Sequence, residues 1–272
     1  AIEQDFARRD AAGRLQQADD GGPGERFART GFPHHAQHFA GCDGEVDVVD
    51  GSEHAAAFPM DVSDLAALER LPERVVQRFG ALDIVVNNAG LNHRGSIEKH
   101  SARALAAIIN VNLTAPVVLT RASFPLIQRG GSIVTVASIA GMVPVPGEAT
   151  YSASKAGVRA FSRAVAEDFR DKNVHTGIVS PGPVDTNFFG EELEAVANLV
   201  FSQPLSTADE VAEAVLECIE KRAVEIAVPA RSGTLATTAY VFPAIADKLR
   251  PMLEKRGEKA KKRYIAKKRA KA

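Results

Sequence analysis

Short apolar runs that alternate with helical patterns constrain this chain more than any other feature of its sequence. "LDIVVNNAG" (82–90), "GSIVTVAS" (131–138), "VHTGIVSPG" (174–182) and "VEIAVP" (224–229) each read as a buried strand ending at a turn. Between them lie "SDLAALERLPERVVQRFG" (63–80) and long helical patterns over 101–129 and about 150–171. A further helix, "VAEAVLECI", opens on a Thr207/Glu210 capping box. Pro116 and Pro125 are expected to bend or divide the 101–129 helix. Apolar strands separated by helices imply a parallel sheet covered on both faces. The expected class is α/β, a Rossmann-like doubly wound parallel sheet, with ligands at the carboxyl ends of its strands. The distinctive residues fall at those ends: "NNAG" after the first run, Ser138 after the second, "SPGPVDT" after the third.

With 272 residues, 45% of them hydrophobic, the chain suits one large domain with a substantial core. Cys42 and Cys218 form no disulfide framework and no zinc spacing, so no metal is expected. No apolar run approaches the length of a membrane span. The opening "AIEQDFARRD" lacks the basic start and apolar stretch of a signal peptide. A reducing, cytoplasmic location is the expectation. The net charge of −1 is uneven: residues 254–272 hold ten Lys/Arg against two Glu, which is +8 and leaves −9 elsewhere. An acidic body does not suit nucleic acid. The basic stretch reads as a solvated or frayed helical end. Its sharper reading is contact with an anionic membrane, since "TLATTAYVFPAIADKLRPML" (234–253) just before it is largely apolar. The competing reading has 234–253 roof a substrate pocket or pack on a partner subunit.

"YSASKAG" (151–157) puts Tyr151 and Lys155 four residues apart, on one face of a helix. An ammonium close to a phenol stabilises the phenolate. Lowering the phenol from its usual value of about 10 to about 7 takes about 4 kcal/mol. The outcome would be a general acid/base poised near neutral pH.

Together, "NNAG" (87–90), Asn112 in "NVNLTA", Ser138 thirteen residues before Tyr151, "YSASK" and "SPGPVDT" (180–186) resemble the short-chain dehydrogenase/reductase family, over about residues 58–230. The resemblance implies a catalytic set of Asn112, Ser138, Tyr151 and Lys155. Tyr151 would move the hydroxyl or carbonyl proton. Lys155 would lower its pKa and hold the nicotinamide ribose. Ser138 would bind the substrate oxygen, and Asn112 would hold a water that relays protons from Lys155. For the cofactor, Asn88, Ala89 and Gly90 would allow close backbone approach. Asp61 would face the adenine, with Val62 packed on it. Pro181, Gly182, Val184 and Thr186 would shape the nicotinamide site, the Val184 backbone and Thr186 binding the carboxamide.

Residues 1–54 depart from that family. Its glycine-rich turn should fall near 12–20, where this chain has "AGRLQQADD". "GGPGERF" (21–27) follows no apolar run, and 1–54 contains only five Ile, Leu or Val. The expectation is an abnormal or disordered segment, read out of frame or strongly divergent, ahead of a catalytic domain (55–253) and a tail (254–272). Without the phosphate cradle, much of the cofactor affinity should be lost. "HHAQH" (34–38) is not expected to hold a metal. Asp50, after "VDVV", would favour NAD over NADP by accepting from the ribose hydroxyls.

The implied function is NAD(P)-dependent hydride transfer to or from a secondary alcohol or ketone. The alternative is a cofactor-deficient relative that serves as a binding or scaffolding protein. "NFFGEELEAVANLVFSQPL" (187–205) is expected to form a lid, with Phe188, Phe189, Leu199, Val200 and Phe201 toward an apolar substrate. A homodimer or homotetramer through the 101–129 and 150–171 helices is expected.

Overall fold

The structure is a computed structural model in which residues 27–28 and 56–270 are described. Among the described residues five strands form one sheet: β1 (Phe27–Ala28), β2 (Leu82–Asn87), β3 (Ile127–Val136), β4 (His175–Pro181) and β5 (Glu225–Val228). Their order is β1-β2-β3-β4-β5, and every pair is parallel. Alternate residues serve opposite faces. Val85 and Ile133 enter a core with Leu68, Ile108, Val111, Ala115 and Leu119, whereas Val86, Val134 and Val179 enter another with Val211, Ala214 and Val215. Every residue of β4 is buried. A sheet covered on both sides is Rossmann-like, as expected. The run "VDVV", Asp50 and "HHAQH" lie outside the described residues. The two-residue β1 was not anticipated; beside β2 it needs only an extended backbone, and two residues carry no periodicity to read.

The helices are α1 (Leu65–Glu69), α2 (Leu71–Phe79), α3 (Ala102–Ile109), α4 (Ala115–Ser123), α5 (Ala149–Ala164), α6 (Ala208–Glu220), α7 (Ala230–Val241) and α8 (Pro243–Arg269). The 63–80 pattern divides at Arg70, because Pro72 opens a new helix rather than continuing the old one. Asp64 caps α1, accepting from the Ala67 N–H at 3.0 Å. The capping box of α6 forms as read. A π turn, Asn110–Thr114, joins α3 to α4. Pro116 sits harmlessly in the first turn of α4, where its missing N–H is not needed, and Pro125 follows the helix end. The helix stops at Ser123, not 129, and α5 stops at Ala164, not 171.

Two expectations need correction. Ala102–Ser123 is long and apolar enough to cross a membrane by length and composition, with mean hydropathy 1.6. The sequence reading missed it because polar residues interrupt the apolar run without lowering its average much. Here the helix is part of the core: Ile108, Val111, Ala115 and Leu119 are buried against the sheet side. Residues 254–269, in turn, are helical as expected but are not a frayed end. They continue α8, which packs along the 187–202 segment: Gly257 approaches the Asn198 backbone, and Tyr264 is buried among Phe189, Val196 and Phe201. Any Cβ at 257 would lie 1.8 Å from the Asn198 carbonyl oxygen, so only glycine permits this approach. Lys261 Nζ donates to the carbonyls of Glu194 (2.6 Å) and Val196 (2.7 Å).

Candidate active site

The carboxyl ends of β2, β3 and β4 converge beside the first turns of α5. Ser138 lies just beyond β3 in extended conformation. Its hydroxyl accepts from the Ala140 N–H (3.1 Å), donates toward the Pro181 carbonyl at the end of β4 (3.4 Å), and favours the ionised form of the Tyr151 phenol. Tyr151 and Lys155 share the buried side of α5. At Gly141 an added Cβ would lie 2.7 Å from the Lys155 carbonyl, so this glycine lets the Ser138 turn rest on α5. The sequence reading overlooked Gly141.

Asn112 occupies the π turn and reaches back to the loop after β2. Its Oδ1 accepts from the Leu91 N–H (2.7 Å), and its Nδ2 donates to the Leu91 carbonyl (2.8 Å) and to Ser154 Oγ (3.0 Å). With both amide protons committed, the side chain holds the "NNAG" loop in place and retains one Oδ1 lone pair for a water. Asn87 is buried between Thr120 and Thr135, each at 3.4 Å, and ties β2 to α4 and β3. Asn88, Ala89 and Gly90 are half-buried.

The electrostatics differ from the expectation. Burial pushes the Tyr151 phenol up to about 12, and the Glu148 carboxylate adds to this; the Ser138 hydroxyl and Arg94 oppose it. Burial likewise pulls the Lys155 ammonium down to about 8. Lys155 does not bring Tyr151 toward 7 here, because its Nζ donates to the Val136 carbonyl at 2.8 Å and lies 5.9 Å from the Tyr151 ring centre. The helical spacing was read correctly, but the loss of hydration outweighs the attraction.

Three further residues shape the site. Arg94 and Glu148, both buried, form an ion pair at 3.2 Å. Arg94 also donates to the Phe188 carbonyl (3.2 Å) and lies over the Phe188 and Phe189 rings at 5.1 and 5.4 Å. Phe188 meets Tyr151 at 6.1 Å between ring centres. The pair joins residues 54 apart in sequence, so no local pattern reveals it. Of the five apolar residues expected to face the substrate, Phe188 alone packs on Tyr151. Phe189 and Phe201 are buried with Tyr264 of α8, because the lid needs a core of its own.

The cofactor residues fall in two groups. Pro181 ends β4, the Gly182 N–H donates to the Val228 carbonyl (2.7 Å), and Val184 bridges Ser206. The Val184 carbonyl accepts from the Thr186 N–H (2.9 Å), and Thr186 Oγ1 accepts from the Phe188 N–H (3.2 Å). That leaves the Thr186 hydroxyl proton as what this side chain can offer a carboxamide. Across the sheet, Asp61 accepts from the Ser63 N–H at 2.8 Å. Val62 is 4% exposed within the main core, so little of it is left to pack on an adenine.

Two observations bear on whether these residues fit a nicotinamide dinucleotide. Lys155 carries three donors, and its bond to Val136 uses one. At Gly90, a Cβ would lie 3.7 Å from Asn112 Oδ1 and 3.8 Å from Lys155 Nζ, so a larger side chain would fill the space beside the ammonium. Both fit a nicotinamide riboside. The segment expected to hold the pyrophosphate, 12–20, lies outside the described residues. A cleft of about 330 Å³ at the amino end of β4, lined by Arg163, His175 and Arg222, is remote from this constellation.

The short chain dehydrogenase family model matches residues 38–197, starting inside the segment that the sequence alone marked as atypical. Among curated proteins, the chain is 34% identical over 131 residues to 3-oxoacyl-(acyl-carrier-protein) reductase FabG of Thermotoga maritima, covering 47% of this chain and 53% of that one. It is 34% identical over 176 residues to 2,3-dihydro-2,3-dihydroxybenzoate dehydrogenase of Bacillus subtilis, covering 61% and 67%. The chain spans 53%, 61% and 59% of the first three curated relatives it matches, less than two thirds of their length. Among solved structures, a short chain dehydrogenase from Burkholderia cenocepacia in complex with NADP superposes with TM-score 0.55 at 30% identity, covering 63% of this chain and 74% of that one.

Proposed function

Because this chain belongs to the short-chain dehydrogenase family, we propose that it interconverts an apolar ketone and the corresponding secondary alcohol with a nicotinamide dinucleotide. The observation that carries this reading is the convergence of Ser138, Tyr151 and Lys155 at the carboxyl ends of β3 and β4. When bound, the dinucleotide supplies or accepts the hydride. The protein's own share is proton transfer and charge stabilisation. With its phenol pushed up to about 12, Tyr151 is protonated at neutral pH, the form that donates to a carbonyl oxygen as that oxygen gains charge. The Ser138 hydroxyl donates to the same oxygen and holds it in line. Lys155, fixed by Val136, would present its remaining protons to the ribose hydroxyls and offset the phenolate that proton donation leaves. Asn112 keeps the loop beside Gly90 in register.

Phe188 over Tyr151 supports an apolar substrate. The NADP complex of the Burkholderia relative supports a nicotinamide dinucleotide as such. NAD would be preferred over NADP if "VDVV" is the second family strand, because Asp50 would then accept from the ribose hydroxyls. A homodimer or homotetramer would use the outward faces of α3–α4 and α5. The test follows reduced-nicotinamide absorbance with a panel of apolar ketones, for the chain and for Tyr151→Phe. Turnover that disappears in Tyr151→Phe supports the reading. Equal rates in both chains, or no turnover at saturating cofactor, overturn it. Because 1–54 lacks a recognisable phosphate cradle, half-saturation is expected at about 1 mM or above.

A further inference from the structure

The helix that closes the lid presents a second, outward face. At about 100° per residue, Ile245, Leu249, Met252, Arg256, Lys259 and Arg263 fall within about 40° of one line along α8. The acidic residues Asp247, Glu254 and Glu258 fall within about 40° of the opposite line. The residues that grip the lid, Gly257 and Tyr264, lie about a quarter turn from the stripe, so lid packing does not consume it.

The stripe is divided along its length. Its first half is apolar and exposed: Ile245 is 54% exposed, Leu249 41% and Met252 61%. At the corner between α7 and α8, Tyr240 (66%) and Phe242 (54%) are exposed as well. Its second half is cationic. Arg256, Lys259 and Arg263 are exposed and have no salt-bridge partner among the described residues, whereas Arg250 pairs with Glu254 and Lys262 with Glu258. Ion pairing thus offsets Glu254 and Glu258 on the acidic side and leaves the stripe positive.

We propose that this face docks the protein on an anionic lipid bilayer, with the α7–α8 corner in the interface and the cationic half on the headgroups. Two properties select this occupant. A second copy paired antiparallel along the stripe would lay cations against apolar side chains, and paired in parallel would set like charges together. An acidic polymer would engage Arg256, Lys259 and Arg263 but leave Tyr240, Phe242, Ile245 and Met252 in water. A bilayer surface satisfies both halves, because apolar anchors beside basic residues combine insertion with attraction to anionic headgroups.

The test is co-sedimentation of the full chain with vesicles of phosphatidylcholine alone or mixed with phosphatidylglycerol. Pelleting with the mixed vesicles at low salt is expected. It should fall about tenfold in high salt, where exposed charges are screened, and should be absent with phosphatidylcholine alone. Arg256→Gln/Lys259→Gln/Arg263→Gln and, separately, Phe242→Ser/Ile245→Ser should each reduce it at least about tenfold, while Lys262→Gln stays within about twofold. These positions point away from the lid, so an unchanged circular-dichroism melt shows the variants folded. Wild type left in the supernatant with mixed vesicles at low salt overturns the proposal, as does equal binding to both compositions. An oligomer that becomes monomeric in Phe242→Ser/Ile245→Ser, with no vesicle binding by wild type, would make this face a contact between copies and also overturn it. The readout is binding, so the result is independent of whether the hydride-transfer reading holds.

Discussion

Lys155 Nζ donates to the Val136 carbonyl at 2.8 Å, tying the end of β3 to the middle of α5. The lysine is thereby held beside the loop carrying Gly90 and 5.9 Å from the Tyr151 ring centre. Burial pulls it down to about 8, within reach of ordinary assay conditions. For carbonyl reduction, kcat/KM should therefore fall as pH rises through about 8, as the cation needed to offset the phenolate is lost. A profile flat from pH 6 to about 10 would show that this charge is not required. Lys155→Ala should harm both turnover and cofactor binding; harm to turnover alone would mean that the side chain does not touch the ribose.

Tyr151→Phe keeps the ring packed against Phe188 but removes the proton. Activity should fall below about one hundredth of wild type with little change in melting temperature. Residual activity above that level would argue for another acid.

Arg94→Met should destabilise the chain by up to about 3–5 kcal/mol, since it takes the guanidinium away from the buried Glu148 carboxylate. Arg94→Met/Glu148→Leu should recover most of the loss. Urea titrations of both variants decide, and a double variant no more stable than the single would show that the pair is not the cause.

His175 lies buried beside Cys218, their Nε2 and Sγ 4.0 Å apart. Burial, then the positive charge of Arg222, holds its imidazole below the usual 6.5. The sign follows from proton binding. Below about 6.5 the unfolded chain takes up a proton that the folded chain resists, so stability should fall as pH drops from about 7 toward about 5. His175→Gln should flatten that part of the pH–stability curve, measured by thermal melts. An unchanged slope would assign it to other groups.

The Tyr264 hydroxyl donates to Asp185 at 2.5 Å, which binds α8 to the loop between Val184 and Thr186. Tyr264→Phe should cost about 1–2 kcal/mol of stability and raise the cofactor KM more than it lowers kcat. A change in kcat alone would separate the helix from the nicotinamide site.

Much of the site was legible from the residues alone, because its parts are local. Tyr151 and Lys155 share a helical face, Ser138 follows a strand, and "SPGPVDT" follows another, so strand order and helical period bring them together. The ion pair of Arg94 with Glu148, the packing of Phe188 on Tyr151 and the grip of α8 on the lid join residues 54, 37 and more than 50 apart, and no period of 2 or 3.6 reports such contacts. The charged state of the site was likewise beyond the sequence. Four-residue spacing predicts attraction between an ammonium and a phenol, but only the tertiary structure decides how much water each has lost. Here burial dominates, raising Tyr151 and lowering Lys155. The basic C-terminus shows the same division. Its charge could be counted from the residues, but whether it floats in solvent or packs was decided by Gly257 and Tyr264, which meet partners about 60 positions away.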